Sequence, residues 1–448
     1  MQNCRRFRLL ICAGLLTAAL SGCGGSSSND HIPSTVSIFY EHSVLLKDGA
    51  TYTMGYNGFG QLGDGTLKTR EIAVPVPGMV NMTKAVAGVA HTMVTDGTKV
   101  YAWGYNLFGQ LGRAGVSTSY PDAYKSTPGD AVSLPNTVTA VTDIAAGGYH
   151  SLAVGNDVLY AWGNNTNRQL GDSTIINKSV PTEIVRGHAD EDLKTLKTVQ
   201  VAASGLHSLA LMGDGSVYAW GDNRKGQSGH VVLGTYSTAI SSPRKVTIPV
   251  TAGGAITRIA ASSRTSYALE ENISGAQTLW GWGYNGYKDA TDPQKTSGGE
   301  LAQDPAVLQE TATPVAVLSI AANDTYIIKK IATGINHLLL LMGRRDSEAD
   351  NFVQGVGYND KGQLGNNRGL STTNKDTSLS SFEFVHALMS VGTDLTGVTD
   401  IAAFGTSSFA LVNGTWYAWG DNGNGQLGNR IATDTITYFQ LPVTVKFQ

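Results

Sequence analysis

Cysteine is nearly absent from this chain: three occur in 448 residues, Cys4, Cys12 and Cys23, all near the beginning. No disulfide framework can therefore staple the body of the protein, and no C-x-x-C redox pair or c-haem attachment sequence is present. Charge is also scarce, with 15% charged residues against roughly 25% in an average globular chain. No basic stretch stands out, which argues against nucleic acid as a partner. H-E-x-x-H is missing as well, so the familiar zinc-protease arrangement is excluded. Stability must come from strand pairing and packing, and any function from something other than a sequence-local catalytic motif.

The one long apolar run lies at the start. Arg5, Arg6 and Arg8 precede LLICAGLLTAAL (9–20), the layout of a secretory signal and too short to span a bilayer comfortably. Leu20-Ser21-Gly22-Cys23 follows and resembles the bacterial lipobox, which implies cleavage before Cys23 and a lipid anchor on that residue. The expected organisation is a signal peptide over 1–22, a lipidated Cys23 with a flexible linker over 23–35, and one folded unit over 36–448. Loss of the leader moves the formal charge from −3 to −6 and removes Cys4 and Cys12. Gly24 is not the aspartate that holds many lipoproteins at the inner membrane, so by resemblance to that sorting rule the outer membrane is favoured.

Glycine, by contrast, is abundant, with 54 residues, and it is periodic. YAWGYNLFGQLG (101–112) returns as YAWGNNTNRQLG (160–171), YAWGDNRKGQSG (218–229) and YAWGDNGNGQLG (417–428), with looser copies at 52–63 and 353–365 and a truncated GWGYNG at 281–286. Seven copies recur roughly 50 to 75 residues apart, a spacing typical of propeller blades and other repeat arrays. Copy five lacks a recognisable GQLG end. Copies one and six carry Met54 and Val356 in place of the tryptophan.

Within a copy, Ile144-Ala145-Ala146 reads as a short strand of small residues, His150–Val154 as a half-buried strand, and Leu159–Trp162 as a third, β-rich one. Asp-Gly or Asn-Gly pairs at 48, 96, 214 and 413 suit tight hairpins with positive φ. A fourth strand falls near 181–185. Four short antiparallel strands repeated seven times predict an all-β fold, a seven-bladed β-propeller of four-stranded blades. The pattern IAAGxxHSLAL…DGxVYAWGxNxxGQLG resembles the regulator-of-chromosome-condensation repeat family over about residues 36–448, here as an exported bacterial lipoprotein member. That family includes nuclear exchange factors for small GTPases, and secreted bacterial β-lactamase inhibitors share its fold. The resemblance implies function by protein contact; an exported chain is not expected to meet a small GTPase.

Several motifs invite a chemical reading. G-x-G-x-x-G at 58–63 and 423–428 joins two strands, whereas a dinucleotide site needs a helix after the loop. Gly171-Asp172-Ser173 resembles an esterase start, but copy one has Gly63-Asp64-Gly65 at the same offset. Asp421–Gly425 lacks side-chain ligands at Gly423 and Gly425 and has Ala432 at the twelfth position, so an EF-type calcium loop fails. His42, His91, His150, His207 and His337 share one offset, taken by Thr265 and Ser407 in copies five and seven. A structural role, bonding to backbone, accounts for that exchange better than a metal ring. No catalytic, cofactor-binding or metal site is expected, and no cofactor.

Binding residues are then expected on the long connections between third and fourth strands, at about 113–127, 230–242, 286–312 and 366–380, because loops on a rigid scaffold concentrate contacts. Tyr120, Tyr124, Tyr236 and Tyr287 lie there and are the candidate partner-binding residues. The reading is a non-catalytic, lipid-anchored scaffold for a protein or glycan at the cell envelope, facing the periplasm or the surface. The alternatives are an enzyme acting on cell-surface polysaccharide, which would show acids of perturbed pKa in a cleft, or a purely structural component of the envelope or matrix.

Overall fold

The computed structural model describes residues 41–119, 123–185, 187, 193–232, 235–236, 238–288, 296–347, 350–367, 380–430 and 437–448. Cys23 and the linker lie outside them. Within the unit Ser37–Gln448, seven antiparallel sheets follow one another along the chain, the blades of an all-β, seven-bladed propeller. With strands lettered A to D in chain order, blade 3 is A Val141–Ala146, B His150–Gly155, C Val158–Gly163 and D Lys178–Glu183. Blade 4 repeats it as Thr198–Ser204, His207–Met212, Val217–Asp222 and Ala239–Lys245. Blades 2, 5, 6 and 7 have the same order, and blade 1 shows B His42–Lys47, C Ala50–Gly55 and D Arg70–Pro75 among the described residues. The stretch 317–337, in which two starts of strand A could be read, divides into strand D of blade 5 (Glu310–Ile320) and strand A of blade 6 (Tyr326–Thr333).

Local chemistry sets the hairpins. Asp48-Gly49, Asn156-Asp157 and Asn413-Gly414 adopt positive φ at both central positions (52° and 76°, 48° and 64°, 49° and 75°), the type I′ geometry that matches strand twist. In blades 2 and 4 only the glycine turns positive, Gly97 at 90° and Gly215 at 82°. There the aspartate before it braces a wider hairpin: Asp96 Oδ1 accepts from the amides of Thr98 and Lys99 at 2.8 and 2.7 Å.

The core is divided. Seven apolar clusters each occupy the seam between two consecutive blades. In the seam between blades 2 and 3, Met93, Ala102 and Leu111 of one sheet pack against Ile144, Ala153 and Trp162 of the next. The ring closes through the C-terminal tail: beyond strand D of blade 7 (Tyr438–Thr444), Lys446 O accepts from Ala73 N at 2.9 Å and Gln448 N donates to Ala73 O at 3.0 Å. Phe447 then meets Tyr52 edge-on with centroids 4.9 Å apart. Closure thus adds the last residues of the chain to the outer strand of blade 1.

Candidate functional site: the seams and the mouth of the propeller

The repeated polar residues build the seams. Each histidine reaches the hydroxyl at the second position of strand B in the following blade: His42 to Thr92 at 2.7 Å, His91 to Ser151 at 3.1 Å, His150 to Ser208 at 2.9 Å, His207 to Ser266 at 2.9 Å and His337 to Ser408 at 2.8 Å. Those hydroxyls donate back to the carbonyl of the glutamine in the preceding GQLG turn, as Ser151 does to Gln110 O at 2.9 Å and Ser208 to Gln169 O at 2.8 Å. Because the hydroxyl proton is spent on the carbonyl, each imidazole must offer Nε2–H. The tryptophan of strand C adds a second donor to the same carbonyl: Trp103 to Gln61, Trp162 to Gln110, Trp220 to Gln169, Trp282 to Gln227 and Trp419 to Gln363, at 2.8 to 3.0 Å. The histidines are therefore structural, although they bond a neighbouring blade's hydroxyl and not backbone. Burial drives His91, His150 and His337 down to about 3 and His207 to about 4, so all four are neutral.

In copies five and seven the hydroxyls that replace histidine turn inward on their own blade, Thr265 to Tyr284 O at 2.6 Å and Ser407 to Asp421 O at 2.9 Å. The blades that follow these two, six and one, are the ones with Val356 and Met54 in place of tryptophan. In these two seams histidine and tryptophan are lost together, while the hydroxyl between them gives way to Leu338 in blade 6 and is kept as Ser43 in blade 1.

Copy five also corrects the sequence reading. Its GQLG turn exists, displaced by the insertion, as Gly299-Glu300-Leu301-Ala302. Leu301 N donates to Asn285 Oδ1 at 2.8 Å and Ala302 N to Gly299 O at 2.9 Å, matching Leu62 N to Asn57 Oδ1 and Gly63 N to Gly60 O in copy one at 2.9 and 3.0 Å. The esterase-like stretch is likewise a turn of the repeat, in which Ser173 holds φ +64° and its amide donates to Ser241 O at 2.9 Å. Asp172 Oδ1 accepts from Thr174 N, Thr174 Oγ1 and Asn165 Nδ2 at 3.0, 2.7 and 2.8 Å. Burial raises that carboxyl, but these bonds and Lys178 outweigh it and hold it low.

The mouth is the inner rim of the face that carries the A–B and C–D turns. There the residue after the strand C glycine donates its amide to the A–B turn: Tyr56 to Glu41 O, Tyr105 to Ala90 O, Asn164 to Tyr149 O, Asp222 to Leu206 O, Tyr284 to Arg264 O, Tyr358 to Asn336 O and Asp421 to Thr406 O, at 2.8 to 3.1 Å. Over blades 1 to 3 this rim is aromatic. Tyr56, Phe59, Tyr105, Phe108 and Tyr149 form an arc with centroids 4.8 to 6.4 Å apart, and all but Tyr149 are only half-buried. Val89, 38% exposed, extends its apolar surface.

Over blades 4 to 7 polar and charged groups alternate with Tyr284 and Tyr358 along the rim. Around the ring each glutamine Oε1 accepts from the amide two residues before it, and in copies three, four, six and seven its Nε2 serves the rim: Gln169 to Asn164, Gln227 to Asp222 and Gln426 to Asp421 at 2.9 Å, and Gln363 to Asp360 at 3.3 Å. Gln426 Nε2 also meets Glu41 Oε2 at 2.9 Å. Burial raises the carboxyls of Asp360 and Asp421 despite Lys361 beside them.

The tyrosines singled out from sequence are placed differently. Tyr124 is half-buried in strand D of blade 2, in register with Tyr105 of the aromatic arc. Tyr236 and Tyr287 lie on two-stranded ribbons, Val231–Val232 with Thr235–Tyr236 and Gly286–Lys288 with Thr296–Gly298, raised from the C–D connections of blades 4 and 5. Tyr120 is outside the described residues. Sequence reasoning missed the arc itself, whose signal was an aromatic at the residue after Trp-Gly or Met-Gly and another at the middle of G-x-G, as in Tyr56/Phe59 and Tyr105/Phe108.

Fold and seams define a closed propeller whose repeats are locked by glutamine, histidine and tryptophan at fixed offsets. Residues 48–95, 98–154, 156–211 and 214–269 match the repeat of the regulator of chromosome condensation (RCC1) family, and 198–227 match a second form of it. The geometry extends the same blade to the C-terminus. Among curated relatives, the chain is 27% identical over 348 residues to the mitochondrial RCC1 domain-containing protein RUG3 of Arabidopsis thaliana, covering 71% of this chain and 69% of that one. It is 30% identical over 210 residues to the RCC2 homolog of Xenopus laevis, covering 44% and 36%, and it spans only 5% of the human E3 ubiquitin-protein ligase HERC2, to which it is 26% identical. The fold is shared with Prp20p of Saccharomyces cerevisiae, at TM-score 0.65 and 22% identity over 94% of this chain and 91% of that one, and with human WBSCR16, at TM-score 0.60 and 22% identity over 82% and 83%.

Proposed function

We propose that this propeller is a non-catalytic binding scaffold that engages a protein or glycan partner at the cell envelope through the mouth of its A–B and C–D face. The aromatic arc carries the reading: half-buried rings held by neighbouring blades offer contact area that needs little further ordering on binding. Tyr124 stands beside the arc, and the ribbons bearing Tyr236 and Tyr287 rise from the same face. The solved structure of Prp20p, described with its binding to Gsp1p and histones, is a precedent for this fold acting by contact. The envelope setting rests on Cys23 and its leader, with the lipid anchor tethering the disc, in an outer membrane by the Gly24 argument.

The enzyme alternative draws on the acids with raised pKa at the mouth. Those acids, Asp360 and Asp421, each brace a glutamine, however, as Asn164 and Asp222 do in blades 3 and 4. Residues committed to the scaffold in this way account for their own perturbation.

The test is site-specific photo-crosslinking in cells, with a reactive residue at Phe108 in the arc or at Ser274 on the opposite-face hairpin, combined with titration of purified protein against wall glycan. A discrete adduct at 108 and none at 274, or saturable glycan binding abolished by Phe59→Ser/Tyr105→Ser, is expected. Turnover of the glycan would overturn the non-catalytic reading. A Cys23→Ala protein that remains with the membrane exactly as wild type does would remove the anchor.

A further inference from the structure

Six of the seven turns that ring the mouth carry a glutamine: Gln61, Gln110, Gln169, Gln227, Gln363 and Gln426. The seventh carries Glu300, in a turn with the same hydrogen bonds to its asparagine, Asn285. Its side chain is 2% exposed, its Oε2 has no hydrogen-bond partner, and its backbone carbonyl accepts the hydroxyl of Tyr267 at 2.8 Å. We infer that Glu300 stands in for the missing glutamine as a neutral carboxylic acid, and that loss of its proton loosens the seam between blades 5 and 6 together with the ribbon that covers it.

The chemistry follows from shape. A protonated carboxyl matches a glutamine amide in size and offers one donor and one acceptor edge. An ionised one would put a full charge and an unpartnered oxygen where water does not reach, a costly combination. The groups facing Glu300 do not reverse this. Arg264, from the A–B turn of blade 5, favours ionisation, but its guanidinium lies over the Tyr284 ring, 5.7 Å from the centroid. Tyr267 from strand B of the same blade and Tyr358 from the end of strand C in blade 6 are both pushed up, by burial first and by Glu300 in part. Asp360 and Tyr284 act on Tyr358 from beside it, and Lys361 adjoins Asp360. Burial prevails and holds the Glu300 carboxyl at about 8.

The location makes the proton consequential. This seam has neither the histidine latch nor the tryptophan donor, and strand Thr296–Gly298 of the blade 5 insertion packs instead on strands Phe352–Tyr358 and Ser380–His386 of blade 6. Glu300 lies two residues beyond that strand. The inference concerns the free protein and holds whatever the mouth binds.

A raised folded pKa means that the native state holds a proton the unfolded chain releases near 4.5. Stability from this group is complete below that value and is lost as pH rises through about 8. The experiment compares urea unfolding of wild type, Glu300→Gln and Glu300→Ala between pH 5 and 9, together with the carboxyl 13C titration of Glu300 in the wild-type protein. The expected result is a Glu300→Gln midpoint equal to wild type at pH 5 and higher at pH 9, a Glu300→Ala midpoint below wild type at pH 5, and a wild-type carboxyl titrating near 8. Proteolysis within 286–303 should accelerate at pH 9 in wild type and not in Glu300→Gln. Parallel wild-type and Glu300→Gln curves, or a carboxyl that titrates in the ordinary range, would overturn the inference; the 13C readout decides even if a variant fails to fold.

Discussion

The seam between blades 2 and 3 and the seam between blades 5 and 6 solve one packing problem in two ways. In the first, Gln110 O accepts from Ser151 and Trp162 while His91 bonds Ser151, so carbonyl, hydroxyl, indole N–H and imidazole Nε2 satisfy one another across the interface. In the second, Val356 and Leu338 replace the two donors, and the Glu300 carbonyl turns to Tyr267 of its own blade. Apolar filling by Leu301, Leu338, Leu340 and Val356 and the insertion strand take over. In this seam the donors are replaced together: losing one alone would leave buried polar groups short of partners, whereas replacing the set with hydrocarbon is tolerable.

The comparison predicts unequal costs at equal offsets. Trp162→Ala should be the most damaging change, about 3–5 kcal/mol for the cavity and the lost indole donor. Val356→Ala, at the same offset in the unlatched seam, should cost about 2 kcal/mol. Denaturant titration of both variants measures the ratio, and equal losses would mean that the tryptophan lock adds nothing to burial.

Glycine at the end of the turn sharpens the same contrast. At Gly112 (φ +63°) a Cβ would lie 2.5 Å from Trp162 Nε1, and the left-handed backbone penalises any side chain. Gly112→Ala should therefore cost about 2–4 kcal/mol, read by the same titration. A near-neutral result would show that the indole yields easily and that the seam is not tight at Gly112.

Protonation should act on the two kinds of seam with opposite sign. The latch histidines have folded values near 3 to 4, below the unfolded 6.5, so the unfolded chain binds more protons in that window. Stability is full above about 6.5 and falls as pH drops toward 3, whereas Glu300 makes its seam firmer in acid. His150→Gln should keep a donor to Ser208 and reduce the slope of stability between pH 6 and 4 by up to about 1.4 kcal/mol per pH unit. An unchanged slope would place the titration elsewhere.

Blade count, strand order and hairpin chemistry were legible because they depend on residues a few positions apart: Asn-Gly and Asp-Gly turns, alternating strands, the Tyr-Ala-Trp-Gly run. The seams were not read because a histidine and its hydroxyl partner sit 50 to 71 residues apart and nothing local marks the pairing. A trace was nevertheless present, since copies five and seven, without histidine, precede copies six and one, without tryptophan. Glu300 escaped notice because the insertion after Asn285 displaced it and its charge disguised a glutamine position. The mouth was sought in the longest loops, where Tyr120, Tyr124, Tyr236 and Tyr287 lie, while the aromatic arc occupies the short repeated turns that read as pure scaffold.

The smallest effect tests why alanine can end the turn in copy five at all. Ala302 holds φ +53°, a conformation that elsewhere in these turns belongs to glycine, as at Gly63 and Gly112. Relief of that strain favours Ala302→Gly by about 1–2 kcal/mol, and the freer unfolded chain takes back about 0.4–1 kcal/mol. The net should be a gain of roughly 0.5 kcal/mol, visible as a small rise in unfolding midpoint. A loss on Gly112→Ala well beyond the gain on Ala302→Gly would locate the glycine requirement in the tryptophan across the seam as well as in the backbone. If Ala302→Gly instead destabilises by more than the entropy term allows, the Ala302 methyl contributes packing to the seam core formed with Leu301, and the unlatched seam depends on its apolar filling even more than its residues suggest.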